Sequence, residues 1–224
     1  MIKLSQYLKE AAAEKDRHLT HIEDAVLEGG VAGTRNAINF LISLRDMFAL
    51  EKEENLLAEA RGSLILRTKF DGAPALYAGI NPENGKFFVG TKGVFAKNPK
   101  LNYTDDDIDT NHPGEGLNEK LKLALRYLPK LGIDGLLQGD MMFTNDDLEE
   151  KEIDGEQYVT FQPNTIVYAV PSKSILAKNI KAAKMGIVFH TSYSGKTIED
   201  MKASFNIDIG RLKPTKDVWF RDAS

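Results

Sequence analysis

The chain has 224 residues, 42% of them hydrophobic and 28% charged, the balance of a globular protein with a core rather than of a disordered or fibrous one. At roughly 150 residues per domain it makes one large domain or a domain with an extension, and its net charge of −4 argues against indiscriminate nucleic-acid binding while leaving room for a local basic groove. It has no cysteine, which excludes a disulfide framework, a thiolate zinc site, an iron–sulfur cluster and a cysteine nucleophile. No apolar run reaches the ~20 residues of a membrane span, and the start turns polar too early for a signal peptide, so a soluble, cytoplasmic protein is expected.

Residues 1–62 read as a helical N-terminal segment. Leu4, Tyr7, Leu8 and Ala11 recur at helical spacing, as do Ile38, Leu41, Ile42, Arg45 and Phe48,. Residues 29–33 read as a loop, with Thr34 as the N-cap of the second run, and residues 51–60 as a solvated helix. From Ser63 onward the pattern changes to short strands at 64–66, 75–80 and 86–90, the last two joined by a turn ending in Asn84-Gly85,. Leu117, Leu121, Ala124, Leu125 and Leu128 predict an amphipathic helix ending near Pro129 and Gly132,. Residues 135–143, 158–161, 165–170 and 186–191 follow as strands, and 197–205 as a helix. Without a regular βαβ alternation, residues 63–224 read as an α+β core of mainly antiparallel sheets.

Chemistry concentrates in Arg67-Thr68-Lys69-Phe70-Asp71-Gly72-Ala73-Pro74. On a strand, Arg67, Lys69 and Asp71 share one face, ahead of a glycine bend at Gly72. A lysine so placed is a covalent nucleophile when its surroundings favour the free amine; otherwise the segment is a hairpin corner with a surface ion pair. Two acidic stretches, 105–109 and 146–156, read as solvated loops, because an EF-hand starting at Asp105 needs Gly and Glu where Thr110 and Gly116 stand,. Lys92, Lys97 and Lys100, interleaved with Phe95 and Tyr103, suit one side of a nucleic-acid groove. His18 and His21 read as a solvated helix face, and His190 as a half-buried histidine ending a strand.

The Lys69-Phe70-Asp71-Gly72 string resembles motif I of the lysine nucleotidyltransferases, the superfamily of ATP-dependent DNA and RNA ligases and messenger-RNA capping enzymes. Further segments follow in the order that this superfamily uses. Residues 88–93, with Lys92-Gly93, are similar to the second hairpin strand whose lysine faces nucleotide phosphates. Residues 136–143, with Gly139-Asp140, are similar to motif III with aspartate in the acidic place, and 165–170 resemble the next strand, whose aromatic residue, here Tyr168, approaches the nucleotide. The strand at 185–189 lacks the acid of motif IV, and Arg211-Leu212-Lys213 is a loose counterpart of the paired lysines of motif V; either these motifs lie beyond the chain or part of the phosphate and metal machinery is lost.

What the resemblance implies is a ligase-type core using ATP and Mg2+. Lys69 is its nucleophile and Asp71 orients it; Arg67, Thr68, Gly72, Lys92, Tyr168, His190 and Lys213 line the nucleotide site, and Asp140 serves ribose or metal. Nucleic-acid 5′ ends are the implied partner. Uncharacterised ligase-like proteins of tailed phages are similar overall, which implies work in host cytoplasm. A non-catalytic phage protein that keeps the fold as a binding or assembly module is the alternative. A third reading is a P-loop kinase or NTPase, from the strand at 186–190 followed by Gly195-Lys196-Thr197, although His190 stands where that motif has its first glycine,.

Overall fold

The computed structural model describes residues 22–49 and 68–223. The helical reading of residues 4–11, the stretches at 51–60 and 64–66, and His18, His21 and Arg67 lie outside the described residues. The chain divides between residues 66 and 67 into two compact units. In the first, helix α1 spans Ile22–Ala49 and breaks its regular geometry at Gly30, whose φ of 53° and ψ of −136° only glycine adopts at little cost,. The expected loop at 29–33 is narrowed to a sharp break at Gly30, where two helical runs meet. Thr34 lies within the second run, and its hydroxyl donates back to the Gly30 carbonyl at 2.8 Å instead of serving as an N-cap,.

The second unit is built on a six-stranded sheet. Strands β1 (Ala75–Ile80) and β2 (Phe87–Gly90) form the expected hairpin. Its turn is fixed by Asn81, whose side chain accepts the Glu83 N–H at 2.9 Å, and by Gly85 at φ 70°,. Helix α2 (Asp105–Asn111) occupies the first acidic stretch, in place of the expected loop. Thr104 and Asp107 make a reciprocal capping box there, and three aspartates in the first turn suit the helix dipole,. Helix α3 (Leu117–Tyr127) ends as expected, in a 3-10 turn closed by Gly132 in the left-handed region.

Strand β3 (Leu136–Thr144) leads into β4 (Glu149–Ile153) and β5 (Glu156–Phe161), which meet across an Asp154-Gly155 turn. Half of the second acidic stretch is thus a strand, exposed along its length. Strand β6 (Tyr168–Pro171) completes a three-stranded sheet in the order β4-β5-β6. Helix α4 (Ile175–Ala182) follows, unforeseen, with Ser174 accepting the Ala177 N–H at 3.0 Å as its cap,. Strand β7 (Met185–Ser194) pairs with β3 on one side; its other side takes β8 (Lys202–Ser204) and, in parallel, β9 (Val218–Asp222).

No helix follows Lys196. The expected helix at 197–205 is a turn and β8, because β7 needs a partner along its free edge and the Glu83 carboxylate accepts the Ile198 N–H at 3.2 Å,. That removes the helix N-terminus on which a phosphate-cradling loop depends, so the P-loop reading falls. The main sheet runs β2-β1-β3-β7-β8, with β9 beside β7. All pairs but β7–β9 are antiparallel, which makes the fold α+β as expected.

Helices α2 and α3 and the 3-10 turn after them bury Ile108, Leu121, Ala124 and Leu128 against one face of the sheet, here called the back, on Leu76, Leu137, Ile187 and Phe189. The front face carries two separate apolar clusters. At one end Tyr77, Leu136 and Tyr193 pack with Val94, Ile198 and Met201; at the other Met142, Phe143 and Val188 pack with β5 and α4. Among the described residues no helix is long and apolar enough to cross a membrane. Leu121→Ala opens a cavity between α3 and the sheet and is expected to cost about 2–5 kcal/mol, read as a lower urea midpoint with unchanged slope.

Candidate functional site

Residues 68–71 do not form the expected strand end before the bend at Gly72, so shared strand faces do not align Lys69 with Asp71. The segment instead bridges the sheet. Thr68 donates its N–H to the Ala223 carbonyl at 2.7 Å, beyond β9, and Ala73 donates to Met141 on β3 at 2.9 Å. Since β7 lies between β9 and β3, the chain crosses β7. It does so on the front, because Gly72 lies against Asp140: a Cβ on Gly72 would stand 2.6 Å from the Asp140 Cβ and 3.0 Å from the Met141 carbonyl oxygen. Close approach, rather than a positive φ, is why glycine is required there.

Asp71 fastens this crossing. Its carboxylate accepts from the Thr165 hydroxyl at 2.6 Å, the Thr165 N–H at 2.7 Å, the Asn164 side-chain amide at 2.8 Å and the Ile166 N–H at 3.0 Å. The Asp71 N–H donates to the Tyr168 hydroxyl at 2.7 Å. Tyr168 stacks on Phe161 at 5.3 Å, and Phe70 stacks on Tyr168 at 6.2 Å. Residues 165–167, expected as strand, are thus the loop that grips Asp71.

Under the crossing lies a polar strip between the two front clusters. Asp140 sits opposite Ala75 and Val188 in the sheet register. Opposite Gln138 stands Thr191 and opposite Gly139 stands Phe189, so His190 is an extra residue in β7, a bulge,. Its Nε2 lies 3.8 Å from the Asp140 Oδ1, both side chains being 23% exposed, and its Nδ1 lies 2.8 Å from the Thr191 hydroxyl. A second bulge leaves Met142 unmatched on β3. Gln138 accepts the Tyr193 hydroxyl at 2.7 Å, closing the strip on the aromatic side.

The structure therefore brings Gly72, Asp140, Tyr168 and His190 together around the crossing that carries Thr68, Lys69 and Asp71. Lys69 is exposed, with no hydrogen bond or ion pair among the described residues. Lys92 is exposed at the start of a 3-10 turn beyond β2, not on the strand, and that turn packs Val94 beside Tyr77. Lys213 donates its N–H to Leu131 and follows Leu212 of the back core, so it does not join the strip. Phe95 packs edge-on against Tyr77 at 5.3 Å and the Tyr103 hydroxyl accepts from Asn81 at 2.8 Å, which commits both aromatics of the expected nucleic-acid groove to packing.

One cation was not foreseen. Arg221 is paired in register with Val188, which is paired with Asp140, so Ala75, Asp140, Val188 and Arg221 form one row across the front face. Only the parallel docking of β9 creates that row, and no local pattern announces it.

Fold and site together define an α+β protein whose glycine-bent lysine segment is strapped across a polar strip. The chain belongs to a family of unknown function, DUF6267, the match covering residues 16–224. No curated protein and no solved structure matches it.

Two measurements probe the strap. Gly72→Ala forces Asp140 and the crossing apart and is expected to cost about 1–3 kcal/mol, read by urea unfolding. The Asp71 carboxyl is held from 3.8 down to about 2, first by the Thr165 hydroxyl, then by the Thr165 N–H and Asn164,. A folded-state value below the unfolded one gives stabilisation that is complete above 3.8 and lost as pH falls through about 2,. Asp71→Asn should lower the thermal midpoint at pH 7, with the gap to wild type narrowing across that acid window.

Proposed function

We propose that the protein is an ATP-dependent lysine nucleotidyltransferase of ligase type, acting on nucleic-acid 5′ phosphates in a reducing cytoplasm. The observation that carries this reading is the strapped crossing: Asp71 and Gly72 fasten the segment bearing a solvent-facing Lys69 across the sheet face that carries Asp140, His190 and Arg221. In the first step the Lys69 amine, its proton given to water, attacks the α-phosphorus of ATP. A nitrogen–phosphorus bond forms, the bond to the bridging oxygen breaks, and pyrophosphate leaves with the electron pair. In the second step an oxygen of the 5′ phosphate attacks the same phosphorus, and the lysine leaves and recovers a proton.

Negative charge grows on the phosphates in both steps, so fixed cations lower the barrier. Arg221 supplies one from the Asp140 row; Lys92, on the turn beyond β2, stands outside the strip. Asp71, with its carboxylate engaged by the loop, is a positioning residue, and Tyr168 fixes the backbone beside it. Among the described residues no group of three or more His, Asp or Glu side chains is arranged to hold a metal. Asp140 alone suits the way Mg2+ binds in such sites, through one or two carboxylates with the remaining ligands from phosphate and water; the ion would add positive charge at the phosphates.

A second reading, a binding module that keeps the fold without the chemistry, is favoured by the exposure of Lys69 and the single carboxylate in the strip. Incubation with ATP labelled in the α-phosphate and Mg2+, followed by denaturation, separates the two. Covalent label on wild type that is absent from Lys69→Ala and Lys69→Arg is the expected result. Unlabelled wild type with ATP, GTP and Mn2+ all tried leaves the binding module.

A further inference from the structure

The outer edge of β9 faces a groove of about 350 Å³ shared with α4 and the loop before β9, lined by Asn179, Lys216, Trp219, Phe220 and Arg221 among others. That volume is at the small end of ligand clefts, which run from ~300 to 1,000 Å³; it accommodates a nucleotide and not a folded element. No acidic side chain is among its lining residues. Among the described residues neither Lys216 nor Arg221 is in an ion pair. The nearest carboxylate of the loop, Asp217, is taken up by Lys130 at 2.7 Å, and its carboxyl is held below the usual range by Lys130 first, with Lys216 and Lys184 adding to the effect. A separate concavity, on another side of α4, is lined by Lys173, Lys178 and Lys181, the last paired with Glu150. The groove is positive on a chain whose net charge is −4.

Cations that track a backbone, together with an aromatic ring on which a base can stack, are the requirements for holding a single-stranded nucleic acid. Trp219 supplies that ring. It is half-buried, supported by Phe143 at 5.9 Å, so it is held rigidly at the groove wall. Position adds to composition. Arg221 stands in the row of Asp140, and β9 ends at Asp222, one residue before Ala223, where Thr68 is bound. The groove therefore leads along β9 toward the segment that carries Lys69.

The geometry points to this groove as the track for a single-stranded nucleic acid whose end is delivered to the Lys69 crossing. Binding in the groove stands independently of the lysine chemistry; only the delivery rests on the proposed function. Affinity comes from phosphate contacts and stacking, so the groove accepts DNA and RNA without sequence preference.

The test uses the full chain and fluorescein-labelled 12-nucleotide oligo-dT and oligo-U, read by anisotropy, with emission of Trp219, the chain's single tryptophan, followed on unlabelled oligomers. Binding is expected to change that emission and to weaken roughly tenfold between 50 and 200 mM salt, as two or three phosphate contacts to a single strand require. The paired variant Lys216→Glu/Arg221→Glu should lose at least tenfold in affinity, while Lys69→Ala binds as wild type does. If the reversed pair fails to fold, Lys216→Ala/Arg221→Gln takes its place with a smaller loss in the same direction. Wild-type affinity in the folded charge variant, binding that leaves Trp219 emission unchanged, or no binding of either oligomer overturns the inference. Label on Lys69 without groove binding would leave the nucleotidyltransferase reading standing alone, and groove binding without label would leave the track without the enzyme.

Discussion

The functional half of the molecule depends on one carboxylate. Residues 68–74 cross the sheet as irregular chain, and ordering such a segment costs about 1–2 kcal/mol of backbone entropy per residue. Apolar burial offsets little of this, since Phe70 is the only large hydrophobic side chain there. The balance falls to hydrogen bonds at the two ends and to Asp71 in the middle. Four donors converge on an ionised acceptor, and hydrogen bonds to a charged group are about twice as strong as neutral ones. Two of those donors are backbone N–H groups of the β5–β6 loop, so the same contact shapes both partners.

The sheet beneath is irregular around Asp140. Bulges at His190 and Met142 flank Asp140 along the β3–β7 pair, and each re-aims a side chain toward the crossing. An unbroken ladder would set only every second residue on the front. With the bulges, His190 and Thr191 are brought side by side, and Met142 and Phe143 both join the front cluster. Gly139 allows the two strands to approach here, since a Cβ would stand 2.6 Å from the Val188 carbonyl oxygen.

Legibility in the sequence followed the range of the interaction involved. The Asn84-Gly85 hairpin, helix α3 with its glycine stop, and strands β3 and β7 rest on neighbours in sequence, and each lies where the local pattern puts it. Helix α2 is signalled by Thr104 and Asp107, although the charge of the acidic run alone reads as a solvated loop. Helix α4 carried a comparable signal in Ser174. Residues 197–205 had helical spacing, yet pairing with β7 prevailed, as tertiary contacts routinely override propensity. At the site, Lys69, Gly72, Asp140, Tyr168 and His190 were chosen by motif and are gathered around the strap. Its fastening to the loop at 164–166, the bulge at His190 and the cation at Arg221 depend on strands far apart in the chain, and no window of the sequence contains them.

The bond from Thr68 to Ala223 sets an order of assembly. Because the start of the strap is anchored to residues made much later, Lys69 is not held in place while the chain emerges from the ribosome. Until β9 arrives, one stretch of β7 has no partner along its edge, and such an edge invites pairing with other chains. Contacts this distant in sequence also form late in folding, after the local hairpin and helices. A nascent or partly degraded chain lacking β9 would thus hold the strap only from Asp71 onward, with Lys69 on its untethered end.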